Sequence, residues 1–293
     1  MSCLKTKTDI KNYYNRIRKE NFNINNDILY FLECNNMKQF DIIDNFDISN
    51  INICKYNLNF KVVEFINSIT STLFKNRVGR KLYFLVKYND IIIGLFSYAS
   101  PVLNNKLNNY LKDKFSDFNY KIMNDKVVEL SVCIGIGLLT KYLIGKLICL
   151  ISISREMINI FNAKYNTDIE YLVTTSLYGK SSMYNRLRDL KYLGLTEGLT
   201  SIITKEFYNE ILEKYKETFP NRKMKITSQS IHIIRLYDQL LRNNVKLSKE
   251  IPKISKGVYI CNNFRQIEDN IKYWYNRWFI PRRNRMMAEV IHD

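Results

Sequence analysis

Apolar positions in the first quarter of the chain recur at helical spacing, with Val62, Val63, Phe65, Ile66 and Ile69 on one face. Residues 1 to about 75 therefore read as a mostly helical front section, with the Asp/Asn/Ile-rich stretch Asp41 to Asn52 as loop. The period then changes from near four to two. Lys81 to Lys87 and Ile91 to Ser97 are β-branched and aromatic runs separated by Tyr88-Asn89-Asp90, which predicts a hairpin turned by Asn and Asp. Residues 102 to 124 form a polar, Asn/Lys-rich connection to which the pattern assigns no conformation. Val127 to Ile134 and Ile169 to Thr175 read as further strands, and the strongly apolar segment Ile144 to Lys164 between them reads as a buried helix. Ser181 to Leu187 suits a short helix, and Tyr192 to Thr196 another strand.

Beyond residue 204 the helical period returns. Phe207, Ile211 and Tyr215 make one stripe and Ile231, Ile234, Tyr237 and Leu241 a second. A third, Phe264, Ile267, Ile271, Trp274 and Trp278, runs until Pro281 stops it, and reads as core rather than as an exposed stacking platform. The predicted fold is α+β, with a mixed, mainly antiparallel sheet flanked by helices and with helical extensions at both ends. The boundaries are 1–76 for the helical N-terminal section, 77–204 for the core and 205–293 for a helical C-terminal section packed on it.

Composition narrows the function classes. With 46% hydrophobic residues in 293, the chain can bury a sizeable core. The longest apolar run in a candidate helix, Leu147 to Ile151, is far short of the ~20 residues a membrane-spanning helix needs. The N-terminus shows no apolar segment with a cleavage site, so a cytoplasmic protein with no membrane partner is expected. The six cysteines are far apart, which disfavours both a disulfide framework and a zinc site and predicts reduced thiols. No Walker loop, metal-binding His/Glu pair or dinucleotide glycine motif occurs, and His232, in an apolar helical stretch, is a poor member of a Ser/His/Asp triad.

The net charge of +17 points to an anionic partner, nucleic acid first. Two clusters stand out: Lys5, Lys7, Lys11, Arg16, Arg18 and Lys19 against two acids in residues 1 to 20, and Arg282, Arg283 and Arg285 near the end. A competing origin is compositional, since the chain is rich in the Asn, Lys, Ile and Tyr that AT-rich codons specify.

From Lys81 to Ser201 the order hairpin, strand, glycine loop, helix, strand, helix, strand resembles the core of a GNAT-type acyltransferase. That resemblance implies acetyl-CoA or another acyl-CoA as donor, its pyrophosphate held by backbone amides where a glycine loop meets a helix N-terminus. Gly135, Gly137, Gly145 and Lys146 are the matching positions. Ser182-Met-Tyr-Asn-Arg-Leu187 followed by Tyr192-Leu-Gly-Leu195 is similar to the GNAT segment whose tyrosine protonates the leaving thiolate, which puts Tyr184 in that role. The rival role for Tyr184 is packing, with its hydroxyl on a local partner.

A closer likeness is carried by Glu129-Leu-Ser-Val-Cys-Ile-Gly-Ile136, Gly145-Lys-Leu147, Val173-Thr-Thr-Ser-Leu-Tyr-Gly-Lys-Ser-Ser-Met-Tyr-Asn-Arg-Leu187 and Leu193-Gly-Leu-Thr-Glu-Gly198. Together these resemble the Druantia anti-phage defence protein A family, and Gly257-Val-Tyr259 with Trp274 to Arg285 extends the likeness over roughly residues 80 to 285. The resemblance implies a role in bacterial defence or DNA modification, with DNA and other defence-system or transposition proteins as partners. For acyl transfer, Glu129 is the candidate base or proton relay, with Ser131 on the same side of its strand. Thr174, Thr175 and Ser176 at the next strand's end, followed by Tyr178, Lys180 and Arg186, are candidates for holding substrate. In the alternative, a non-catalytic DNA- or RNA-binding module, Lys180, Arg186 and Arg188 meet phosphate and Tyr178 stacks on a base.

Overall fold

The computed structural model describes residues 3–4, 8, 12–13, 45–57, 79–177, 179–199, 203–221 and 229–292. The helix expected around Val62 to Ile69, all six cations of the N-terminal cluster, and Tyr178 lie outside the described residues. Strands are β1 (Cys3–Leu4), β2 (Ile51–Tyr56), β3 (Lys81–Tyr88), β4 (Ile91–Ala99), β5 (Val127–Gly135), β6 (Tyr171–Ser176), β7 (Lys191–Leu199) and β8 (Lys253–Cys261). Helices are α1 (Asn105–Lys112), α2 (Tyr120–Lys126), α3 (Ile144–Ser152), α4 (Arg155–Tyr165), α5 (Lys205–Thr218), α6 (Gln229–Arg242), α7 (Ile267–Trp274) and α8 (Ile280–His292). The chain divides into two units, the larger formed by residues 25–58, 80–194 and 257–293 and the smaller by 1–24, 59–79 and 195–256.

The larger unit is α+β, as expected. Asn89, at φ +51°, and Asp90 make the two-residue turn joining β3 to β4, with Tyr88 opposite Ile91. β2 to β5 follow one another antiparallel, β6 adds parallel to β5, and the 257–261 part of β8 adds antiparallel to β6. Alternation gives the sheet two buried faces. Val128 and Leu130 join the core under α3, α4 and α7, whereas Val127, Val173 and Val258 pack with Leu107 and Leu111 of α1 and Met123 of α2. A bulge between Ser97 and Tyr98 shifts the β4/β5 register, so that Leu130 and Cys133, three residues apart, face the same core.

The parallel pair is short. Val127, Val128 and Glu129 pair with Tyr171, Leu172 and Val173, and beyond these β5 and β6 part. The Leu130 carbonyl, next in line on β5, is instead satisfied by the Thr174 hydroxyl at 3.0 Å.

Several expectations from sequence need correction. Ile51–Tyr56 is a strand, not loop or helix, and Lys253–Cys261 is a strand within the section expected to be helical. The polar connection 102–124 holds α1 and the start of α2, capped by the side chains of Asn104 and Asn119. The apolar stretch Ile144 to Lys164 is two helices, broken where the Ser152 and Ser154 hydroxyls turn back onto the carbonyls of Cys149 and Ile151. Ser181 to Leu187 is a run of turns rather than a helix, and Arg186 stands in the left-handed region at φ +66°. Pro281 does not end the C-terminal helix. A π-type turn, Tyr275–Phe279, precedes it, with the Ile280 amide on the Tyr275 carbonyl, and Pro281 falls in the first turn of α8, where its missing N–H is tolerated. Within the third stripe, Phe264, Ile271, Trp274 and Trp278 are buried as core.

In the smaller unit, Thr204 caps α5, whose buried stripe Phe207, Ile211 and Tyr215 is the predicted one. On α6 the buried residues are Ile233, Leu236, Tyr237 and Leu240; of the predicted stripe Tyr237 is buried and Ile234 packs against this core, whereas Leu241 is exposed. β1 pairs in parallel with β8 at Lys253 and Ile254.

Candidate functional site

Two motifs more than seventy residues apart in sequence meet at the end of β6. Ser176 of β6 is opposite Gly257 of β8, and Thr174 opposite Tyr259. Gly179, at φ +72°, passes so close to Gly257 that a Cβ added there would stand 2.2 Å from the Gly179 carbonyl oxygen. The Tyr259 ring packs on Tyr184 and on Tyr192, at centroid distances of 5.2 and 5.1 Å. Its hydroxyl accepts the Ser181 amide at 2.8 Å and donates to Asn185 Oδ1 at 3.0 Å. Tyr259 thus pins both ends of the turn segment 181–185.

Tyr184 is buried, with its hydroxyl 3.3 Å from Thr174 Oγ1. Burial first, then the nearby Cys133 and Cys149 thiols, push its phenol well above the usual range, so it stays protonated. In the same core burial raises the Cys149 thiol well above its usual range and pushes Cys261 up to about 12, which disfavours the reactive thiolate at both.

The second anchor of the turn is Lys146. It is 5% exposed, and its ammonium donates to the carbonyls of Ser182 (2.6 Å), Met183 (3.0 Å) and Asn185 (2.7 Å), with the Trp278 ring centroid 5.1 Å away. Burial, together with Arg186 and Arg277, draws its pKa down to about 8, but three acceptors at these distances use all three N–H bonds of the charged form. The cofactor candidates Gly135, Gly145 and Lys146 do come together at the start of α3. A Cβ on Gly135 would stand 2.2 Å from Ile144 Cγ2, and one on Gly145 would stand 3.1 Å from Met183 Sδ. The Met183 side chain therefore lies against the first turn of α3. Gly137, at φ +78°, opens the turn Leu138–Tyr142 instead.

The catalytic candidates do not converge. Glu129, 5% exposed, accepts the Val102 amide at 3.0 Å and shares the face of Val127, opposite the face on which Tyr184 lies. Ser131 sits in the bulge, its hydroxyl 2.8 Å from that of Ser97. Thr174 and Ser176 are buried, Thr175 is half-buried, and Lys180 is turned onto the Tyr192 ring at 5.4 Å.

One cluster was not anticipated. Asp189, with its side chain 4% exposed, receives Arg265 Nε at 2.9 Å and Asn263 Nδ2 at 2.7 Å, with Arg188 Nε at 3.3 Å. Arg188 also donates to Asn270 and lies 4.3 Å over the Tyr273 ring, so it is built into the fold. Arg186 and Arg277 differ. Both are exposed, both lower the proton affinity of Lys146, and neither is in an ion pair with a carboxylate among the described residues. No group of three or more metal-ligating side chains and no helix long and apolar enough to cross a membrane occurs among the described residues.

Residues 56–272 match the family model described as Druantia protein DruA. Among curated proteins, the chain is similar to the Druantia protein DruA of Escherichia coli (strain UMEA 4076-1), 23% identical over 249 residues. The match takes in 70% of this chain and spans 61% of the length of that relative. No solved structure matches it.

Proposed function

Since the chain belongs to the Druantia protein DruA family, we propose that it serves in anti-phage defence by binding nucleic acid on a GNAT-like scaffold. The carrying observation is the cation cluster at the turn 181–187. Arg186 and Arg277 flank the buried Lys146 ammonium with no carboxylate paired to either among the described residues. Like charges held together at a surface disfavour one another, and a phosphate relieves that repulsion. The strained φ of Arg186 supports the reading, because αL costs a non-glycine residue roughly 1–2 kcal/mol and persists where surrounding contacts impose it. The scaffold reading rests on the antiparallel run β2 to β5, the short parallel β5/β6 pair and the glycine-bearing loop into α3 between them.

Fluorescence anisotropy with labelled DNA and RNA, between 50 and 200 mM salt, tests this directly. Binding is expected to weaken steeply with salt, and Arg186→Gln with Arg277→Gln should cut the slope against log salt by about 0.9 for each duplex phosphate no longer neutralised. Salt-insensitive binding, or none, would sink the proposal.

A second reading, acyl transfer to nucleic acid from acetyl-CoA or a related donor, draws on the parting of β5 from β6 beside a phenol that burial keeps protonated, as a general acid requires. In this reading Met183 moves off Gly145 to let a pyrophosphate reach the α3 amides. Tyr184→Phe should then abolish a nucleoside adduct detected by mass spectrometry of DNA from expressing cells, at a stability cost of only about 1 kcal/mol. DNA free of any adduct after exposure to the unaltered protein argues against transfer while leaving binding intact.

A further inference from the structure

The connection 102–124, to which the sequence pattern assigned no structure, brings α1 against β6 and β7 and with it a group of lysines. The Tyr110 ring of α1 has Lys114 Nζ 5.9 Å and Lys191 Nζ 5.7 Å from its centroid. Lys106 lies across Gly194 of β7, its Cε 3.3 Å from where a Cβ would stand, and Gly194 is at φ +121°, a backbone conformation that calls for glycine. Lys180 covers Tyr192, which packs on Tyr259 and so projects from the face of β7 opposite to that of Lys191 and Leu193.

All four lysines are exposed, and none is ion-paired with a carboxylate among the described residues. The acid beside Tyr171, Glu170, is engaged by Lys126 at 2.9 Å. The tyrosines Tyr110, Tyr171 and Tyr192 are half-buried, and the ammoniums stand over the rings of Tyr110 and Tyr192. Base stacking on those rings is therefore disfavoured. Ammoniums held on aromatic faces, each contact worth ~0.5–1 kcal/mol at an exposed site, are instead pre-positioned for a ligand carrying repeated negative charge.

We propose that Lys106, Lys114, Lys180 and Lys191, set on both faces of β7 around Tyr110, Tyr192 and Gly194, form a second nucleic-acid contact surface along β7 that takes the phosphodiester backbone of a nucleic-acid strand without reading its bases. The inference rests on the nucleic-acid reading above, but it uses neither Arg186 nor Arg277.

The test is the full chain carrying Lys106→Gln, Lys114→Gln, Lys180→Gln and Lys191→Gln, titrated with single-stranded DNA, duplex DNA and RNA across 50–200 mM salt. For single strands the slope of log affinity against log salt should fall by about 0.7 for each phosphate no longer neutralised, close to 3 in all, and the four Lys→Arg changes should restore it. The weakening should be equal for unrelated base sequences. Because these side chains are exposed, the thermal midpoint should stay within a few degrees, which separates weaker phosphate binding from a damaged fold. Should the unaltered protein bind, the Arg186/Arg277 variant weaken and the four-lysine variant bind as before, this inference alone is overturned. Should the unaltered protein bind no nucleic acid, or only vesicles containing phosphatidylserine, the nucleic-acid reading falls and this surface with it.

Discussion

Gly257→Ala is expected to destabilise the larger unit by about 3 kcal/mol, at the upper end of what overpacking costs. The new Cβ would stand 2.2 Å from the Gly179 carbonyl oxygen, 2.7 Å from its carbon and 3.1 Å from Tyr192 Cε2. Two of the three atoms are backbone, so no rotamer change relieves the contact. Gly257 is held from the other side by its pairing with Ser176. The loop through Gly179 must therefore move outward, taking Lys180 and Ser181 with it, and Ser181 loses its bond to the Tyr259 hydroxyl. A thermal melt should show a drop of roughly 6–12 °C for a unit of this size. Gly198→Ala is the control: nothing lies within 4 Å of a Cβ there, and its effect should stay within about 0.5 kcal/mol. Equal midpoints for the two variants would mean that the Gly179/Gly257 approach is not as described.

The second large effect belongs to Lys146. Lys146→Ala removes a packed four-carbon stem and leaves the carbonyls of Ser182, Met183 and Asn185 without their donor, which together should cost about 3–5 kcal/mol. Lys146→Met also removes the ammonium and its three donors but keeps a side chain of similar length packed in place, so it should cost less. Urea unfolding gives the totals, and hydrogen exchange locates them. In both variants the amides of residues 181–187 should lose protection before those of β5 or α3. A cost under 1 kcal/mol for the alanine variant, or exchange unchanged in that segment, would contradict the anchoring role.

The parts of the fold legible in the sequence are those whose signals are local. Asn89-Asp90 announced its hairpin, and Phe207, Ile211 and Tyr215 announced their helix face, because turn chemistry and side-chain period act over a few residues. β2 escaped because Ile-Asn-Ile-Cys-Lys-Tyr follows an Asn/Asp-rich loop that masks its alternation. β8 escaped because it is one strand between helical stripes, recognisable only by its pairing with β6. On α6 the stripe was legible at Tyr237 but not at Ile233 and Leu240, since Ile233 and Ile234, like Leu240 and Leu241, are equally apolar and only the packing against α5 chooses which is fully buried.

The site divides in the same way. The block Thr174 to Leu187 stood out, and so did Gly257 to Tyr259, but their contact did not, because nothing within seventy residues of Tyr259 specifies that its hydroxyl will hold Ser181 and Asn185. Lys146 carried an expected role towards a phosphate, yet its ammonium faces three main-chain carbonyls, a partnership that exists only after the turn has folded over α3. Lys106, Lys114 and Lys191 read as ordinary charges of a polar connection and a strand start. Their common neighbour Tyr110 becomes visible only when α1 docks on the sheet.

The π-type turn at Tyr275–Phe279 has a consequence for the basic end of the chain. One extra residue in a helical turn sets everything after it back by about 100° around the axis relative to an uninterrupted α-helix. Residues of α8 are thus out of phase with the heptad positions that Ile271 and Trp274 would project forward. It is in this rotated setting that Arg282 reaches the Lys141 carbonyl and Arg283 stands 5.9 Å over Phe279, while Arg285 is exposed. The turn acts as a gear with one added tooth: it decides which arginines of Pro281-Arg-Arg-Asn-Arg285 are spent on the fold and which remain on offer.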